Sequence, residues 1–300
     1  MAQVDSIRFA LVSLLLMATG LFPIALQSGC KSWKEHSGEN ASPLQRAGLP
    51  PNTIALEVVL AQLPASEMDD IKRALEPYLD RQAVSIDYRR PWNENGLVVG
   101  TFHSTWPGVL QDALKSKREE TLKQVDKVIT REQLDAINTP DPVKMHKQTQ
   151  FTNGEPRTIP MTDFLDVARW TAIENGVERT RTENTVRSWF QIISKIERGT
   201  SAQITLTPMV SFGPILNGVG VVDHELAFRQ KQREVLYADL AVNVSLSAGE
   251  TIVIYSNANE GELGDLLLGN SNGLDADQER ILLLRLVRTQ DDDLFELKDF

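Results

Sequence analysis

Cysteine is nearly missing: Cys30 is the one thiol in 300 residues. Whatever folds beyond it has neither disulfides nor a cysteine metal site to hold it together, so buried apolar surface must supply the stability. Positive charge is also short. With 31 Lys and Arg against 41 Asp and Glu, the formal net charge is −10, which argues against nucleic acid and anionic lipid surfaces as partners. After Leu26 no apolar run reaches the ~20 residues that a membrane-spanning helix needs. The expectation is a folded part that is soluble apart from any anchor.

Catalytic patterns are scarce as well. The only Ser-x-x-Lys runs from Ser28 to Lys31, where signal cleavage would cut it apart. Asp223-His224-Glu225 is the densest group of acid-base side chains. Neighbours on a strand point to opposite faces, and His36, His103 and His146 lie in unrelated segments, so the triplet reads as a solvated turn. Gly218-Val219-Gly220 lacks the third glycine of a dinucleotide loop, its place being taken by Asp223. Asp291-Asp292-Asp293 reads as a solvated run. Trp92, Trp106, Trp170 and Trp189 read as core packing. The sequence therefore predicts no catalytic residue, no metal and no cofactor.

The amino terminus is more informative. Arg8 precedes an apolar stretch from Phe9 to Leu26, and the small pair Ser28-Gly29 stands directly before Cys30. A short apolar segment suits entry into an export channel, and small side chains suit a peptidase cutting between Gly29 and Cys30. The Cys30 thiolate is then a natural nucleophile for lipid attachment. This layout resembles the lipobox of bacterial lipoproteins, with Gln27 at the position where that pattern carries an aliphatic residue. An ordinary cleaved signal and an uncleaved anchor helix are the alternatives, and Gly20 and Pro23 weaken the helix. The expected address is the bacterial cell envelope, facing the periplasm, with the outer membrane favoured and the membrane contacted through the lipid on Cys30.

Five stretches follow from the pattern: a signal over 1–29, a flexible tether over 30–52, an α+β module over 53–128, a polar connection over 129–161 and a β-rich module over 162–300. The fold class expected is α+β. In the first module the strands Thr53 to Leu60 and Leu97 to Phe102 alternate with helices. One helix carries Met68, Ile71, Leu75 and Leu79 on one face, and another opens at Trp106-Pro107. The second module begins with a short helix from Thr162 to Asn175, stopped by Gly176, and continues with a hairpin of Trp189 to Ile196 and Ala202 to Val210.

Ala202 to Pro208, Gly249 to Ile254, Leu263 to Gly269 and Ile281 to Val287 are similar, in order and character, to the last strands of bacterial secretins, the ring-forming channels of secretion systems. The chain as a whole resembles envelope lipoproteins of planctomycete type. These resemblances imply a strand order and no activity. Three functions are in play: a non-enzymatic structural or interaction role with an envelope protein partner, a secretin-like or secretion-accessory subunit, and a hydrolase of envelope polymers using dispersed carboxylates such as Glu178, Glu183 and Asp223.

Overall fold

A computed structural model describes residues 52–103, 105–115, 143–197, 200–222, 225–269 and 278–291. In chain order the elements are β1 (Thr53–Pro64), α1 (Ala65–Leu75), α2 (Ile86–Glu94), β2 (Leu97–Phe102), α3 (Gly108–Leu114), β3 (Val143–Thr152), β4 (Pro156–Pro160), β5 (Leu165–Glu174), β6 (Val177–Ile196), β7 (Ser201–Val222), β8 (Glu225–Leu236), β9 (Val242–Ser247), β10 (Thr251–Ser256), α4 (Leu263–Leu268) and β11 (Gln278–Gln290). Eleven strands against four short α-helices among the described residues make the protein mostly β, which overturns the α+β expectation.

The reason lies in β1 and β2. Nearly every residue of β1 is buried, and all of β2. Strands covered on both faces need lateral partners, and theirs come from the far end of the sequence. The first sheet runs β2-β10-β11-β1-β3, antiparallel throughout. The leucine-rich β11, with Ile281 to Leu284 fully buried, fills the slot between β10 and β1. The helices are accessory: α1 and α3 cover part of the outer face, where Met68, Ile71, Leu75 and Leu110 meet Val59, Ala61, Val253 and Leu283.

The inner face packs on a second sheet ordered β4-β6-β7-β8, with β5 added to β6 and β9 added to β7. Between the sheets lie Leu56, Val58, Leu282 and Leu284 from the first, and Phe190, Ile192, Ile204 and Val244 from the second. Each such side chain contributes roughly 1.5–3 kcal/mol by leaving water.

Three local expectations change. Residues 143–160, expected as a polar connection, form β3 and β4. The stretch expected as a helix from Thr162 to Asn175 contains β5, whose Ala168, Trp170 and Ala172 alternate into the core. Gly176 is no helix stop there. Asn175 (φ 50°) and Gly176 (φ 75°) are the two left-handed residues of a tight turn joining β5 to β6, the geometry that Asn-Gly favours. Finally, α2 was not foreseen. Ser85 caps it by accepting from the Asp87 amide at 3.4 Å, and Trp92 anchors it in the core against the Phe190 ring, 5.9 Å away.

One junction fixes the β5–β6 hairpin to the rest. The buried Asn95 amide donates from Nδ2 to the Pro91 and Ile173 carbonyls at 2.9 and 3.1 Å. Its Oδ1 accepts from the Ile173 amide at 2.8 Å, so one side chain does for β5 what a strand would. The adjoining backbones are in contact: a Cβ at Gly264 would lie 2.3 Å from the Gly96 carbonyl oxygen.

Candidate functional site

The second sheet divides. β6 and β7 pair side by side from Ile196 opposite Ala202 as far as Arg187 opposite Ser211. Two residues further along each strand, Thr185 (φ 52°) and Gly213 (φ 83°) both take left-handed backbone, and Pro214 then removes an amide donor. The strands part there. β6 continues against β5, from Val186 opposite Leu165 to Val177 opposite Glu174. β7 continues against β8 as far as Val222 opposite Glu225, across a bulge between Phe212 and Leu216. The result is a fork of two hairpins.

Its root is aromatic. Trp170 of β5 and Tyr237, just after β8, are both buried, and the indole Nε1 donates to the Tyr237 hydroxyl at 2.8 Å. The Phe212 ring of β7 stands 6.2 Å from Trp170 at 57°. Burial pushes the Tyr237 hydroxyl up to about 12, against a smaller lowering by the Trp170 hydrogen bond. Across the opening, Gln232 of β8 donates from Nε2 to the Thr185 carbonyl (3.0 Å) and the Gly213 carbonyl (2.9 Å), bridging the two arms.

The outer face just below the fork holds a stacked arginine. The Arg187 guanidinium carbon lies 5.1 Å from the Phe164 ring centroid and 4.3 Å from that of Trp189. Its Nε donates to the Thr162 carbonyl at 3.0 Å. Trp189 is held in turn, with Nε1 donating to Ser211 Oγ at 2.9 Å. Pro160, Trp189, Met209 and Leu236 stand opposite one another in register, an apolar row across four strands.

The residues singled out from the sequence do not converge. Gly29 and Cys30 lie outside the described residues, as do Asp223 and His224, while Glu225 opens β8. Glu178 and Glu183 sit on β6 opposite Ile173 and Ala168, five residues apart and so on opposite faces of the strand. Gly218 and Gly220 belong to a ladder with Arg229 and Ala227, with no helix to follow a dinucleotide loop. Asp291 ends the described part of its acidic run. Among the described residues no three His, Cys, Asp or Glu side chains group as metal ligands. Trp92 and Trp170 are core residues, whereas Trp106 and Trp189 are partly exposed.

Sequence reasoning missed the fork and the arginine stack. The Asn-Gly pair was the available signal for the first hairpin. Nothing local announced that Phe164 would reach Arg187. Among the described residues no helix is long and apolar enough to cross a membrane. No protein-family model matches the chain, and neither a curated protein nor a solved structure matches it.

Proposed function

We propose that this is a lipid-anchored protein of the bacterial cell envelope, tethered through Cys30, with a structural or interaction role, and that the β7–β8 hairpin is its contact element. The carrying observation is apolar exposure where that hairpin leaves the fork. Beyond Gly213 its two strands pair with each other, while Ile215 and Leu216 are 38% and 63% exposed. Further out, Val219 stands opposite Phe228 and Val221 opposite Leu226 in register. Exposed apolar residues such as Ile215 and Leu216 are characteristic of a surface that another molecule covers.

A photo-crosslinking amino acid in place of Leu216 tests this in cells. The expected outcome is adducts of defined mass, absent when the same group replaces Arg73 on the exposed side of α1. No adduct from either Leu216 or Lys231 would overturn the hairpin assignment. The anchor is tested separately: Cys30→Ala should abolish labelling by radioactive palmitate, and label retained on that variant overturns the lipid.

A secretin-like subunit is the second reading, favoured by one observation. The four segments carrying that resemblance fall on β7, β10, α4 and β11, three of them strands of the two packed sheets. Crosslinks from Leu216 would then form a ladder of self-adducts, and rings would be seen in detergent extracts.

A further inference from the structure

We propose that Arg187, stacked between Phe164 and Trp189, is a binding site for a carboxylate-bearing peptide segment of a partner protein. The inference rests on the interaction reading above but concerns a different surface, the outer face of the second sheet below the fork.

The guanidinium is fixed before any ligand arrives. Ring centroids 5.1 and 4.3 Å away hold its plane, both inside the ~6 Å range of cation–π attraction. The bond from Nε to the Thr162 carbonyl at 3.0 Å fixes its rotation in that plane. The loop bearing Phe164 is itself tied to β6, because the Ser188 amide donates to Thr162 Oγ1 at 3.0 Å and the Met161 amide to the Ser188 carbonyl at 2.9 Å. Both terminal nitrogens remain. Among the described residues no oxygen bonds them, and neither is a buried atom without a partner. Asp163 is exposed on the loop between Thr162 and Phe164, but among the described residues no carboxylate forms an ion pair with Arg187; Ser211 stands opposite Arg187, and Glu234 only opposite Ser211, roughly 9–10 Å away at two strand spacings.

A planar fork with two open donors matches a carboxylate in bidentate fashion. Holding it rigid removes the ordering cost that a free arginine would bear on binding. The adjoining row decides between a simple anion and a peptide. Leu236 is 43% exposed and Phe164 49%, and with Trp189 between them they offer apolar surface next to the charge. Inorganic anions gain nothing from such a surface. A segment with an acidic residue flanked by apolar ones uses both parts, and Trp and Arg are the side chains that most often anchor protein contacts.

The test follows the Trp189 indole N–H resonance by NMR in the full chain in detergent micelles, identified by its loss in Trp189→Phe. The probe is the blocked tetrapeptide acetyl-Leu-Asp-Leu-Phe-amide. The resonance should shift and saturate, and the same peptide with Asn for Asp should bind at least tenfold more weakly. Arg187→Met, which keeps apolar length without the fork, should show the same loss. If that variant does not fold, the acid and amide peptides on the unaltered chain still decide. Equal affinity for the two peptides, or displacement by inorganic phosphate at equal concentration, overturns the site. Loss of acid discrimination while Leu216 still crosslinks removes this site alone; discrimination without crosslinks removes the hairpin reading alone.

Discussion

The two arms of the fork are built from adjacent strands of one sheet and treated in opposite ways. The β5–β6 hairpin folds back on the body. Its inner residues Ala168, Trp170 and Ala172 are buried, Asn95 holds the Ile173 backbone, and the Asn175 amide at the turn donates to Asp239 at 2.7 Å. Its exposed strand is polar, with Glu174 bonded by Arg179 and Arg181 at 3.4 and 3.3 Å. Among the described side chains of the β7–β8 hairpin, Gln232 bridges to the other arm, and just past Gly213 stand the exposed Ile215 and Leu216. Exposed apolar residues occur on both arms, Val167 and Val177 on the first and Ile215 and Leu216 on the second, and Leu216 at 63% is the most exposed of the four.

The sharpest test of that contrast sets the root of the fork against its tip. Trp170→Ala should cost about 3–5 kcal/mol in urea unfolding, the usual effect of emptying a large buried aromatic site. Leu216→Ser should stay within about 0.5 kcal/mol. Comparable losses would mean that the free arm is structural after all.

A smaller effect is expected at alkaline pH. The Tyr237 hydroxyl ionises near 10 in the unfolded chain and is pushed up to about 12 in the fold, so the native state keeps its proton longer. Its contribution is complete below pH 10 and declines as the pH rises towards 12, by roughly 1 kcal/mol per unit. Tyr237→Phe should flatten that decline in denaturation curves across this window. A decline just as steep in the variant would place its source elsewhere.

The smallest effect belongs to the bridge between the arms. Gln232→Met should lower global stability by no more than about 1 kcal/mol, the net worth of a hydrogen bond. Amide exchange should nevertheless accelerate from Leu216 to Val222 and leave β5 unchanged. Faster exchange in both arms alike would show that they open as one unit.

Much of the local structure was legible. The expected hairpin of Trp189 to Ile196 and Ala202 to Val210 is the observed pairing of β6 with β7, and Leu97 to Phe102 is β2 residue for residue. Alternation over short strands reports which face is buried, and that information is local. What it does not report is lateral partnership. Thr53 lies opposite both Gln290 and Thr152, and no pattern within Thr53 to Pro64 distinguishes those partners from a nearby strand. The segment at 162–175 misled because Phe164, Val167, Ala168 and Thr171 fit a helical period by coincidence, while Phe164 and Val167 are about half exposed. Arg187 and Trp189 alternate with the core residues Val186, Ser188 and Phe190, so their outward direction was readable. The arrival of Phe164 from another segment was not.

The place of β11 between β10 and β1 bears on how the chain reaches its fold. Its pairing of Ala61 with Ile281, and of Thr53 with Gln290, joins residues more than two hundred positions apart. Loop closure over such distances is slow, and until it happens β1 and β10 face a gap one strand wide, with two strand edges rich in aliphatic residues exposed. The local hairpins of the second sheet can close early, but the first sheet is completed only when β11 arrives. That dependence makes any chain truncated before Gln278 prone to aggregate through those open edges.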